Sequence, residues 1–192
     1  MRVGIDIDDT ICQTRKTFIP ILCKHYGIRY KDVKSKEYTY FEESFKDYYS
    51  YAIEHFDKLA LTLKLKPFTK KYLNKLKSRG HEIIFLTSRY YKEFKTPYET
   101  SYKYLKDNCI PFDKLIICEG NKGKICLEEN IDIFFDDSYR NYKSIKDAGI
   151  EVYLMDDLPN IKIKNVNRIF TIRDIYLKVK RKEKRDGREN NI

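Results

Sequence analysis

Five carboxylates fall in two short clusters, and each cluster directly follows an apolar run. Asp6-Ile7-Asp8-Asp9-Thr10 ends the run at residues 2–7, and Asp136-Asp137 follows the run at 131–135. In a strand, residues two apart share a face, so Asp6 and Asp8 project together where the first strand runs out. Asp136 and Asp137 emerge at the same edge if their strand is parallel to it, and that is the edge where open α/β sheets bind ligands. Carboxylates this close repel each other, and a divalent cation relieves the repulsion. With oxygen donors only, and no His or Cys among them, Mg2+ fits the set better than zinc. Either cluster alone reads equally as a surface turn or a helix cap. Their joint placement, with the pieces that follow, favours a metal site.

A third run, at 82–87, ends in Thr87-Ser88-Arg89, which sets a hydroxyl and a guanidinium at the same rim. A phosphoryl group needs donors for its non-bridging oxygens, and hydroxyls, backbone N–H groups and Arg supply them. Lys122-Gly123-Lys124 opens a helix leading into the Asp136 strand. Either lysine can reach the rim from that helix start, where the N-terminal dipole also favours an anion. The plain alternatives are a turn for Thr-Ser and a solvated charge for each Lys.

The elements that must position these residues alternate. Strand-like runs at 2–7, 82–87, 114–118, 131–135, 151–155 and 168–172 are separated by helical patterns, the signature of an α/β fold with a mainly parallel sheet. Near-continuous apolar runs such as Ile83-Ile84-Phe85-Leu86 read as strands covered on both faces. Thr96, Pro97 and Glu99 predict a capping box with proline in the first turn of a helix running towards Asn108. Phe68, Tyr72, Leu73 and Leu76 mark a helix face closed by Gly80, a third helix runs from Ser138 to Ala148, and a last one starts near Thr171 or Arg173.

One interval breaks this rhythm. Between the first strand and the helix at Phe68 lie about sixty residues without a convincing strand, where a crossover normally needs one helix. The interval reads as a helical insertion whose first helix starts near Thr17, with Pro20 in its first turn. Nine aromatics lie between Tyr30 and Phe56.

The order Asp-x-Asp-x-Thr, then Thr-Ser, then Lys, then Asp-Asp resembles the four motifs of the haloacid dehalogenase (HAD) superfamily of phosphotransferases. The similarity covers nearly all of residues 1–177, and the insertion falls where that superfamily places its C1 cap. Within it, residues 3–10, Phe18-Ile19-Pro20 and residues 131–137 most resemble bacterial nucleotidases related to 5′(3′)-deoxyribonucleotidases. The resemblance implies a Rossmann-like parallel sheet with helices on both faces. The core would be residues 1–11 and 66–177, the cap about 12–65, and residues 178–192 a charged tail, flexible or a frayed helix.

For the chemistry, the resemblance implies Asp6 as nucleophile forming an aspartyl-phosphate and Asp8 as general acid and then base. Mg2+ would be held by the Asp6 carboxylate, the Asp8 backbone carbonyl and Asp136, with Asp137 bound directly or through water. Thr87 and Ser88 would bind the phosphoryl oxygens, Arg89 would add charge, and Lys122, by family spacing, would neutralise the transition state in preference to Lys124. Asp9 departs from the Gly common in deoxyribonucleotidases. The cap would face the leaving group, with Tyr38 and Phe41 the best candidates for contact with a base, although its aromatics serve equally as the core of the cap.

Composition sets the remaining bounds. The 192 residues suit one domain with an insertion, and 42% hydrophobic with 15% aromatic content is enough for a real core. The net charge of +10 attracts polyanions, but residues 178–192 supply +4 of it. Five cysteines without C-x-x-C spacing read as reduced thiols, and no apolar run spans a bilayer or resembles a signal peptide, which places the protein in the cytoplasm away from membranes. The expected activity is a Mg2+-dependent 5′-nucleotidase acting on (deoxy)nucleoside monophosphates, as monomer or homodimer. The alternatives are the same chemistry on sugar phosphates, or nucleic-acid binding or polynucleotide-end processing through the basic tail.

Overall fold

The computed structural model describes residues 1–90 and 92–187. Six strands, β1 (Arg2–Ile5), β2 (Glu82–Thr87), β3 (Lys114–Ile117), β4 (Ile133–Asp136), β5 (Glu151–Met155) and β6 (Arg168–Ile169), form one parallel sheet in the order β3-β2-β1-β4-β5-β6. The chain winds outward from β1 to β3 and then returns to place β4 on the other side of β1. The crevice beyond β1 and β4 is therefore a topological switch point, where such sheets bind ligands.

Alternation along the strands builds two apolar layers. Val3, Ile5, Ile83, Phe85, Ile133 and Phe135 pack on one face, and Ile84, Leu86, Phe134, Val152 and Leu154 on the other. Gly4 is glycine for steric reasons, because a Cβ there would lie 2.2 Å from the Phe134 ring. Helices α5 (Thr69–Ser78) and α9 (Ile172–Arg185) cover the first face through Leu73, Leu76, Ile175 and Val179, joined there by Tyr104 and Leu105 of α6 (Pro97–Asp107). Helices α7 (Lys122–Glu128) and α8 (Tyr139–Asp147) cover the second through Cys126, Tyr142 and Ile145.

The insertion comprises α1 (Thr14–Tyr26), α2 (Tyr30–Val33), α3 (Thr39–Ser44) and α4 (Tyr48–Ala60). Its two ends leave the sheet side by side. Cys12 and Leu65 form an antiparallel bridge, flanked by Gln13 N–H to Lys64 O at 2.9 Å and Lys66 N–H to Ile11 O at 2.8 Å. Phe18 of α1 meets Phe56 of α4 with ring centroids 4.6 Å apart, and Tyr26 stacks on Phe45 at 3.8 Å.

Local expectations differ from the structure at four points. Helix α1 begins at Thr14 rather than near Thr17, so Pro20 is its seventh residue and not part of the first turn. The Thr96–Glu99 capping box does not form. Asp57 of α4 takes its place, accepting from Lys95 N–H at 2.9 Å and from the Thr100 hydroxyl at 2.6 Å. Phe68 lies off the helix face in left-handed backbone (φ 66°), 67% exposed. Residues 178–185 continue α9 as regular helix, anchored by buried Val179 and Glu183 and by Lys182 and Arg185 on Glu151, so the boundary expected at 177 falls inside that helix. Residues 188–192 of the expected tail lie outside the described residues. Among the described residues, no helix is long and apolar enough to cross a membrane.

Candidate active site

The acidic cluster is assembled by strand ends. Asp6 N–H still pairs with Phe135 O at 2.9 Å, which carries the β1–β4 ladder one step further and places Asp6 beside Asp136 at the sheet edge. The chain then turns through Asp9, whose φ of 51° lies in the left-handed region that favours glycine. Asp9 is tolerated there because its carboxylate accepts Arg15 N–H at 2.9 and 3.2 Å, satisfying a donor in the first turn of α1 that the N-cap Gln13 leaves open.

Lys122 is the first residue of α7 and 1% exposed, with Nζ 2.6 Å from Asp6 Oδ1 and 2.8 Å from Asp136 Oδ2. Gly123 lets α7 pack closely on α8, since a Cβ there would lie 2.3 Å from the Ser144 carbonyl of α8. Lys124, by contrast, has a side chain 77% exposed beside Glu128. Asp136 is fixed further by Ser138 N–H at 2.8 Å and by the Asn141 amide at 3.1 and 3.2 Å.

Burial raises the Asp6 carboxyl to about 7, with Lys122 opposing and Asp136 and Asp8 adding to the rise. Asp137 is pushed well above the ordinary range by burial and then by Asp9, Asp136 and Asp6. Burial would lower the Lys122 ammonium, but Asp136 and Asp6 outweigh it and hold it above its ordinary value. Carboxylate oxygens of Asp6, Asp136 and Asp137 lie within 4.8 Å of one another, and those of Asp9, Asp137 and Asp157 form a second such group beside the first. An all-oxygen set in which Asp6 and Asp137 resist ionising suits a hard divalent cation.

The other sequence-derived candidates separate. Thr87 is fully buried at the end of β2, its hydroxyl 3.4 Å from Arg89 N–H, while Ser88 lines the adjoining cavity. The buried Arg89 guanidinium grips Asp8, with Nε to Oδ2 and Nη2 to Oδ1 both at 2.8 Å, and Thr14 adds a 2.6 Å bond to the same carboxylate. Burial pushes Asp8 up, but Arg89 outweighs it and holds the carboxyl below its ordinary value. Arg89 is thus occupied by Asp8 and does not present a free fork for substrate oxygens. Tyr38 lines the cavity with the Arg15 guanidinium 5.0 Å above its ring. Phe41 is fully buried against Tyr40 and Phe45, away from the cavity, so it is core of the insertion and not a base contact.

The cavity holds about 510 Å³. Asp6, Asp8, Asp137 and Ser88 lie at its acidic end, while Phe18, Tyr38, Tyr48 and Phe56 enter from the insertion and Tyr90, Glu93 and Phe94 from the loop after β2. Sequence reasoning missed several of these residues. Thr14, six residues after Asp8, and Asn141, on α8 just after Asp136-Asp137, had the signal of close spacing to the motifs. Tyr48 and Glu93 are 45 residues apart, and only the tertiary fold joins them.

The family model for 5′ nucleotidase, deoxy (pyrimidine), cytosolic type C proteins matches residues 1–183. A nucleotidase of Clostridium acetobutylicum is 30% identical over 92% of this chain and 92% of its own length. A haloacid dehalogenase-like hydrolase of Streptococcus pneumoniae superposes with a TM-score of 0.66 at 15% identity, covering 93% of this chain and 97% of that one. A HAD family hydrolase of Deinococcus radiodurans, solved with bound phosphate and sodium, gives 0.64 at 9% identity, covering 94% and 95%. These two likenesses concern the fold. From the extent of the family match and the nucleotidase relative, the chain belongs to the 5′ nucleotidase, deoxy (pyrimidine), cytosolic type C family, phosphoric monoester hydrolases of the haloacid dehalogenase type.

Proposed function

We propose that the chain is a Mg2+-dependent 5′-nucleotidase on (deoxy)nucleoside monophosphates, working through an aspartyl-phosphate on Asp6. The observation that carries this reading is the buried Asp6–Lys122–Asp136 contact, in which Asp6 also lines a cavity that Phe18, Tyr38, Tyr48 and Phe56 enter from the insertion. Asp6 attacks phosphorus, the ester P–O bond breaks, and Asp8 protonates the departing alkoxide. Asp8 then takes a proton from the water that cleaves the aspartyl-phosphate and frees Asp6. Lys122 neutralises charge gathering on the phosphoryl oxygens, and the Thr87–Ser88 turn supplies donors to them.

Mg2+ fits the oxygen donors of Asp6, the Asp8 backbone carbonyl and Asp136, with Asp137 direct or through water. When bound it would offset repulsion between the anionic nucleophile and the anionic substrate. The pair with Arg89 keeps Asp8 ionised, so the acid role requires the carboxyl to leave that grip and take up a proton from solvent once substrate is bound. The insertion acts as the cap, closing the leaving-group side of the cavity.

A turnover screen of deoxy- and ribonucleoside 5′- and 3′-monophosphates beside sugar phosphates, with and without Mg2+, tests this. The highest kcat/KM is expected for a nucleoside 5′-monophosphate with Mg2+. A sugar phosphate ahead by a wide margin would overturn the nucleotidase reading and leave the phosphatase chemistry standing.

A further inference from the structure

Asp57 belongs to α4 of the insertion, yet it fixes the start of α6 in the core. Its Oδ2 accepts Lys95 N–H at 2.9 Å and Thr96 N–H at 3.4 Å, and its Oδ1 accepts the Thr96 hydroxyl at 3.3 Å and the Thr100 hydroxyl at 2.6 Å. Thr96, at the N-cap position, makes no side-chain cap bond of its own. The Asp57 charge also meets the positive end of the α6 dipole. Helix α6 in turn seats Arg89. Ser101 Oγ, one residue after Thr100, accepts from Arg89 Nη1 at 3.3 Å. The Tyr104 ring centre lies 5.7 Å from the guanidinium carbon, and that of Phe94, one residue before Lys95, lies 5.6 Å from it. Ser101, Tyr104 and Phe94 are all buried, so a shift of α6 moves the seat of the guanidinium, whose other two nitrogens hold Asp8.

We propose that Asp57 is a positioning residue for Asp8, acting through α6 and Arg89, so that the acid is correctly placed only while the insertion is docked on the core. This rests on Asp8 being the general acid of the proposed reaction, and it deepens that reading by tying the acid to the insertion. Asp57 touches no reacting atom. A general acid works only within hydrogen-bond reach of the departing oxygen, and a displacement of about 1 Å from a distant substitution is enough to lose much of the rate. The loss falls on esters whose leaving oxygen needs the proton. A good leaving group departs without it.

A series of phenyl, chlorophenyl and nitrophenyl phosphates, compared by kcat/KM on the full chain with Mg2+, tests this. The ratio across the series does not depend on how much of a variant is folded, and the small rings keep binding similar along it. Asp57→Ala is expected to lose about tenfold on phenyl phosphate and about twofold or less on nitrophenyl phosphate, a steeper dependence on the leaving group than in native protein. Asp57→Asn, which keeps an oxygen for the Thr100 hydroxyl, should lie between. Equal losses on all three esters would mean that Asp57 is structural only and would overturn the inference, as would no loss on any. Asp8→Asn separates this from the reading beneath it. If Asp8→Asn steepens the dependence and Asp57→Ala does not, this inference alone falls. If Asp8→Asn leaves the dependence at the native slope, Asp8 is not the acid and both fall.

Discussion

Arg89 holds Asp8 from both sides of its carboxylate, through two 2.8 Å contacts, and is itself only 2% exposed. Removing the guanidinium would strand a largely enclosed carboxylate. Arg89→Ala is expected to cost about 3 kcal/mol, the low end for breaking a buried pair because Asp8 keeps some solvent contact. Thermal melting should show it as a fall of about 6–12 °C. Activity should fall more for a nucleoside monophosphate, whose alkoxide needs a well-placed acid, than for an aryl phosphate with a good leaving group. Parallel losses on both substrates would argue against Asp8 as the acid that Arg89 positions.

Lys122 and Lys124 are two residues apart and lie in opposite environments, one bridging Asp6 and Asp136 and the other at the surface. Lys122→Met is expected to lower kcat by about 100-fold or more, the scale for deleting one preorganised charge-stabilising group. Lys124→Met should leave kcat near the native value. A comparable loss in both variants would contradict the assignment.

Asp9 combines a left-handed backbone with a bond to the start of α1. Asp9→Gly relieves the backbone and loses the bond, while Asp9→Ala loses the bond and keeps the strain. Urea unfolding should therefore find the Ala variant less stable than the Gly variant by about 1 kcal/mol. Equal stabilities would mean that the positive φ costs nothing here.

His81 links α9 to the sheet, 2% exposed, with Nε2 3.0 Å from Glu183 and Nδ1 3.5 Å from the N-terminal amine. Burial pushes its pKa below the ordinary 6.5, against the pull of Glu183 and Asp132 and with help from the N-terminal ammonium and Arg79. The unfolded chain thus takes up a proton that the folded chain resists. The stabilisation is fully present above pH 6.5 and is lost as pH falls from there through the depressed folded value. Urea midpoints measured between pH 8 and 5 should fall more steeply in the native protein than in His81→Gln. A steeper fall in the variant would reverse the sign.

The residues legible in the sequence are those whose placement follows from strand ends. Asp6, Asp8, Asp136 and Asp137 each sit next to an apolar run buried on both faces, and parallel pairing brings such ends to one edge without further information. Ser88 follows by the same rule, whereas Lys122, at a helix start, was separable from Lys124 only through the spacing of the family the chain resembles. Long-range partners were not legible. Arg89 carries the charge a phosphate would want, but a carboxylate 81 positions away claims it. Phe41 and Tyr38 share an aromatic cluster, and only the packing of α3 sends one into the core and the other to the cavity. Asp57 capping α6 displaced a local rule that Thr96 and Glu99 satisfied on paper.

The central claim is that Asp6 attacks phosphorus with Mg2+ present, and steady-state phosphate release from a nucleoside 5′-monophosphate by native and Asp6→Asn protein tests it most directly. Native protein should release phosphate only when Mg2+ is added, and Asp6→Asn, melting no lower than native, should lose about 1000-fold or more of kcat, on the scale seen when a nucleophile is deleted. A folded Asp6→Asn protein with native turnover would contradict it.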